Sequence, residues 1–242
     1  MAVERLIGIV TDVLKHSDRH DVVSLYTRSH GRVALLAPAG NGKAARARRA
    51  AMMQLSVIET DVKFNANRDL QFLGRFSRPV LWRTIYFDPV KSAVAIFISE
   101  FLNQFLRQSP PDPQLFDFLV GAIDRLDKME RGVANFHLGF LVEFLDYAGI
   151  RPDLSDWQAG CWFDLRGGVA SMLPPGHRDV IEPRNTAGLP ILARMTTANA
   201  ATFKFNGLQR RQFMSELLKY YAVHFPGIGS LKSPEILAEV FS

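Results

Sequence analysis

Apolar residues in the first third of the chain recur in short runs rich in β-branched side chains. Leu6, Ile7, Ile9, Val10, Val13 and Leu14 form the first, and the polar cluster at 17–21 closes it. Val22, Val23, Leu25 and Tyr26 form a second, and Ser29-His30-Gly31 turns the chain into a third run over 32–37. Such runs, punctuated by Ser, Asp and Gly, predict a meander of strands. After a segment of Ala and Arg come two more candidates, 53–64 and 69–76. Five short strands with one insertion after the third predict a small OB-type barrel, a sheet closed on itself that often binds single strands on one face. Phe72 and Phe76 are expected in its core.

Past about Trp82 the apolar period lengthens to three and four. Asp88-Pro89 places an N-cap before a proline at the first helical position, and Val90, Val94, Phe97, Ile98, Phe101, Leu102, Phe105 and Leu106 follow on one face. Asp112-Pro113 repeats the start, and a third helical segment covers 133–147 with Gly149 as its stop. Asp117, Asp124 and Asp127 are expected on the solvated side of the second helix. The pattern fails over about 150–190, where Phe163-Asp164-Leu165 before Gly167-Gly168 predicts a short hairpin. Helical spacing returns over 208–224, and Ser233-Pro234-Glu235 opens a last short helix. The expected fold is therefore α+β: an OB-type, nucleic-acid-binding domain over 1–82, then an α-helical domain over 83–242 with an irregular insert at about 150–190.

Charge changes this picture. Residues 1–83 hold 14 Lys/Arg against 7 Asp/Glu, a net +7, while the remainder holds 15 against 17, a net −2. A basic module ahead of a near-neutral scaffold points to a polyanion, with a merely solubilising surplus as the alternative. The charge peaks in Gly42-Lys43-Ala44-Ala45-Arg46-Ala47-Arg48-Arg49, where small residues between cations let phosphates approach. Lys43, Arg46, Arg48 and Arg49 are the leading phosphate-binding candidates, supported by Arg28, Arg32, Lys15 and Arg19. Four phosphate contacts on a single-stranded nucleic acid would set a salt slope of about −3. The alternative is a solvated basic helix. Gly42-Lys43 does not open a P-loop, because Ala44 stands where a Ser or Thr would ligate magnesium and Ala37 where the first glycine belongs.

Catalytic chemistry finds little support. The six histidines are scattered, no Gly-x-Ser-x-Gly elbow occurs, and Cys161 stands alone, which leaves no disulfide and no multi-cysteine metal site. No apolar stretch reaches the length of a membrane span, so a cytoplasmic protein without membrane partners is expected.

The order of these motifs resembles the bacterial recombination mediator family RecO. The opening Leu6-Ile7-Gly8-Ile9-Val10 run leading to Ser24-Leu25-Tyr26-Thr27 and Gly31-Arg32 is similar to the start of the family's OB-fold. The basic segment from Gly42 to Arg49 lies where the family carries one. Phe136-His137-Leu138-Gly139-Phe140-Leu141 followed by Tyr147-Ala148-Gly149-Ile150-Arg151-Pro152 resembles its helix and following turn. Trp162-Phe163-Asp164 with Gly167-Gly168, Leu218-Lys219-Tyr220-Tyr221 with His224, and the closing Leu231-Lys232-Ser233-Pro234-Glu235-Ile236-Leu237 resemble the Bacteroidetes form. Many members hold zinc through four cysteines after that turn. With Cys161 alone, this chain is expected to hold no metal and no cofactor, its insert packed by Trp157, Trp162 and Phe163. The resemblance implies a non-enzymatic, cytoplasmic and nucleoid-associated protein. It would bind single- and double-stranded DNA, anneal complementary strands and, with RecR, help load RecA on DNA coated by single-strand-binding protein. A contact with that protein's acidic C-terminal tail is implied in the helical domain. Two other readings stay open: a protein–protein adaptor that never touches nucleic acid, and an RNA-binding OB protein.

Overall fold

β1 (Val3–Lys15), β2 (His20–Thr27) and β3 (Gly31–Pro38) form the antiparallel meander expected of the first third, with Val10 opposite Leu25 and Leu25 opposite Val33. A bulge between Val10 and Asp12 bends β1. After α1 (Lys43–Ala51), β4 (Val57–Lys63) pairs with the other edge of β1. The fifth expected strand is split. β5 (Leu70–Phe72) runs parallel to β3, and β6 (Phe76–Ser77) runs antiparallel to β4. Between them the Leu73 N–H donates to Leu36 O at 3.0 Å and the Asp61 N–H donates to Arg75 O at 2.9 Å. The segment 70–77 thus occupies both ends of the strand order β5-β3-β2-β1-β4-β6. Its bend requires a glycine, since a Cβ on Gly74 would stand 2.2 Å from Asp61 O. These are the coordinates of a computed structural model, which describes residues 3–65 and 67–241.

Alternation along the strands puts Leu6, Val10, Val23, Leu25, Val33, Leu35, Ile58 and Val62 in one buried cluster inside the sheet. The outer side of β1 is covered by α2 (Pro89–Phe105). Ser99 Oγ donates to Thr11 O at 2.7 Å, and Asn103 Nδ2 donates to the Asp12 carboxylate at 3.2 Å. Asp88 caps α2 by accepting from the N–H groups of Val90 and Lys91, as the Asp-Pro motif predicts. Asp112 caps α3 (Pro113–Lys128) in the same way, through Gln114 and Leu115. The segment before α3 lies against the β2–β3 turn: Tyr26 Oη donates to Pro110 O at 3.3 Å, and Gly31, at φ +64°, leaves no room for a side chain beneath Ser109.

One expectation about α3 is corrected. Asp127 is buried instead of solvated, and its carboxylate accepts from the backbone N–H groups of Arg83, Thr84 and Ile85 at 2.9, 2.8 and 3.0 Å. A segment without regular structure carries unpaired N–H groups that need acceptors wherever it is buried, and Asp127 supplies them. The change from strand to helical pattern near Trp82 therefore does not coincide with the division into compact units. These are Met1–Lys128 and Met129–Ser242, so α2 and α3 belong with the sheet.

The second unit is built around α4 (Phe136–Tyr147) and α6 (Gly207–His224). Gly149, at φ +69°, ends the first of these, and an Asn206–Gln209 capping box starts the second. Phe136, Phe140 and Phe144 are fully buried, each contributing roughly 1.5–3 kcal/mol. Tyr221 Oη donates to Leu141 O at 2.7 Å, tying α6 to α4. The insert contains the predicted hairpin, β7 (Trp162–Asp164) with β8 (Val169–Ser171), and β9 (Val180–Ile181) joins it on the other side of β7. Its packing uses Phe163, which is buried, and Trp157, whose Nε1 donates to Thr186 O at 3.2 Å. Cys161 is fully buried, with Sγ 3.9 Å from Thr186 Oγ1. α5 (Leu189–Leu192) and α7 (Ser233–Val240) complete the unit.

Candidate nucleic-acid interface

The surplus positive charge lies in the first unit, which holds 18 Lys/Arg against 13 Asp/Glu, while the second holds 11 of each. Within the first unit the basic segment folds as α1. Alanine at five of its nine positions favours a helix. Ala45 and Ala51 are buried, which sets which side of the helix faces inward.

That facing sorts the four leading cations. Lys43, Arg46 and Arg49 stand three residues apart and so share one flank, and all three are exposed. Arg48 lies between the buried positions, is only half-exposed, and donates to the carbonyl of Pro38 at the end of β3. It anchors the helix to the sheet. Arg49 also reaches back, to the carbonyl of Gly40, while staying exposed. Gly40, at φ +143°, makes the turn that allows this. The first turn of α1 contains no acidic residue, so Lys43 adds to the positive end of the helix dipole without a neutralising neighbour.

The four supporting cations are arranged differently. Lys15 pairs with Asp18 at 3.1 Å and lines, with Arg49, Asp18 and Asp21, a hollow of about 590 Å³ beside Gly40. That hollow is of mixed charge. Arg19 is exposed on the same β1–β2 turn. Arg28 is engaged by Asp117 of α3, a surface ion pair that offsets much of its field. Arg32 is half-buried on the outer face of β3 and donates to Ser24 Oγ at 3.2 Å. The carboxyl of Asp12 is raised by burial and drawn partly back by the Val13 N–H and by the charge of Arg32. The structure thus brings Lys43, Arg46 and Arg49 together and places Lys15 near them, while Arg28 and Arg32 are committed to acidic or polar neighbours.

Phe72 is a second correction. It is 54% exposed on the outer face of β5, whereas Phe76 packs against the buried cluster of the sheet as expected. The neighbouring Gln71 is buried in its place. The Leu-Gln-Phe-Leu pattern supports either facing of this strand, and nothing local in the sequence marks the aromatic as the outward residue.

A family model described as "Recombination protein O C terminal" matches residues 86–234, more than half of the chain. A protein named DNA repair protein RecO from Phocaeicola vulgatus is 31% identical over 242 residues, 99% of each chain. Its namesake in Porphyromonas gingivalis strain W83 is 33% identical over 238 residues, 97% of each. The chain belongs to the RecO family. A more distant RecO, from Flavobacterium psychrophilum, is 27% identical over 97% of this chain and 98% of its own. The RecO relatives therefore match both the sheet-bearing unit and the helical one, and they support a role in DNA repair and recombination. Among the described residues, no helix is long and apolar enough to cross a membrane.

Proposed function

We propose that the protein is a non-enzymatic recombination mediator that binds DNA through the exposed flank of α1 and anneals complementary single strands. The observation that carries this reading is the alignment of Lys43, Arg46 and Arg49 on one exposed helix flank of the basic unit. Cations so placed replace condensed counterions along a phosphate backbone, and the released ions drive binding. Two strands held on the same cationic surface repel each other less, which favours pairing. In the cell the protein would act in the cytoplasm on the nucleoid, with RecR, helping RecA onto DNA coated by single-strand-binding protein and engaging that protein's C-terminal tail. The names of the RecO relatives support the repair context.

Anisotropy titrations with single-stranded DNA, duplex DNA and RNA across a salt series test the reading. Three contacts on single-stranded DNA give a slope of log K against log salt of about −2. The triple variant Lys43→Glu, Arg46→Glu, Arg49→Glu is expected to lose most of that slope and to stop annealing while remaining folded. An unchanged slope would remove α1 from the interface. Absence of DNA binding at low salt, or a strong preference for RNA, would overturn the reading itself.

A further inference from the structure

We infer that Phe72 is a stacking platform for an unpaired base, held in place by Arg68. The inference rests on the DNA-binding reading above and assigns to the outer face of the sheet a contact that the α1 cations cannot make.

The facing of β5 is the first observation. Gln71 is buried, and its side chain accepts from the Asn65 N–H at 2.9 Å and donates to the carbonyls of Asn65 at 3.1 Å and Arg68 at 2.6 Å. Those three bonds fix the parity of the strand. Side chains alternate across a strand, so an inward Gln71 forces Phe72 outward. A glutamine inside and a phenylalanine outside inverts the usual assignment, and such local inversions concentrate at functional sites. Among the described residues, Phe72 belongs to the small set of large apolar side chains that are more than half exposed.

The second observation is the charge around the ring. The Arg68 guanidinium carbon lies 5.5 Å from the Phe72 ring centroid, and the residue as a whole stays 54% exposed with the guanidinium in place. A ring with a cation over it suits a base joined to a phosphate better than it suits an apolar protein partner, because every base offers a π face and every linkage a negative charge. Position supports the same occupant. Phe72 stands beside Leu36 on β3, and two residues further along β3 Pro38 receives the Arg48 guanidinium of α1. A strand stacked on Phe72 lies at the sheet edge from which the exposed flank of α1 continues.

A stacked base must be unpaired, and stacking carries no charge, so the two contributions separate experimentally. Wild type, Phe72→Ala, Phe72→Trp and Arg68→Ala are titrated with an oligo(dT) and with a duplex of equal length over a salt series. Phe72→Ala is expected to weaken oligo(dT) binding at least about fivefold while leaving the salt slope and the duplex affinity unchanged. Phe72→Trp restores the affinity, and Arg68→Ala weakens it with a slightly shallower slope. The proposal is overturned if Phe72→Ala binds oligo(dT) like wild type, or if it loses single strand and duplex alike. Failure of the wild type to bind DNA at all would overturn the underlying reading instead.

Discussion

Lys91 Nζ donates to the backbone carbonyl oxygen of Asp127 at 2.7 Å, on a lysine that is 5% exposed. The same ammonium donates to Thr84 Oγ1 at 2.7 Å. The first turn of α2, the last turn of α3 and the segment leaving the sheet are thus pinned at one buried point. This junction explains why the strand-to-helix change near Trp82 falls within a compact unit.

Replacing Lys91 with Met keeps the stem and removes the donor. The Asp127 and Thr84 oxygens then lose a buried partner, at a cost of about 1–3 kcal/mol. Hydrogen exchange is expected to speed up first at the amides of Arg83, Thr84 and Ile85, with a lower urea midpoint for the unit. Protection equal to wild type at those amides would show that the junction does not depend on the ammonium.

Asp127 makes the junction acid-sensitive. Burial alone would raise its carboxyl, but the N–H groups of Arg83, Thr84 and Ile85 outweigh burial and hold it below the ordinary range. A carboxyl lowered in the folded state stabilises the fold above its unfolded pKa of about 3.9, and that contribution fades as pH falls through the lower folded value. Asp127→Asn is expected to cost stability at neutral pH and to narrow its gap from wild type below pH 4. Urea titrations of both proteins from pH 7 to pH 3 measure the gap. A constant gap would separate Asp127 from the acid response.

His137 gives the second unit a response at milder pH. Its imidazole is fully buried, and burial together with the nearby Arg210 lowers its pKa to about 3. The unfolded chain takes up this proton near pH 6.5 and the folded chain does not, so stability falls as pH drops below 6.5. Between pH 7 and pH 5 the linked loss is about 2 kcal/mol. His137→Gln is expected to be less stable at pH 7 but flatter across this interval, read by thermal melts in matched buffers. A variant as pH-dependent as wild type would exclude His137 as the source.

Arg46 and Arg48 are two residues apart, yet their substitution is expected to act on different observables. Arg46→Ala removes an exposed charge and reduces the magnitude of the single-strand salt slope by about 0.7, with no change in melting temperature. Arg48→Ala removes the bond to Pro38 and loosens α1, lowering the melting temperature with a smaller effect on the slope. The two variants measured side by side, by anisotropy and by calorimetry, check this. Equal slope changes would mean that both side chains reach phosphate.

Much of this protein was legible in the sequence because much of it is local physics. The Asp88 and Asp112 caps, the glycine stop at Gly149, the meander and the helical periods follow from backbone sterics and from hydrogen bonds between near neighbours. The basic character of α1 was equally plain, since charge is a matter of composition. Facing was not. Whether Arg48 joins Arg46 on the surface depends on which alanines α1 buries against the sheet. Asp127 turns inward only because the segment 83–85, more than forty positions earlier, arrives with N–H groups in need of an acceptor. Phe72 points out because Gln71 finds three backbone partners in the loop before it, bonds that exist only once that loop has closed against β5. Periodicity, caps and composition were enough to locate most of the elements and the sign of the surface. Which side chains that surface presents emerges only on folding, because a side chain's facing is set by contacts between segments that periodicity does not connect.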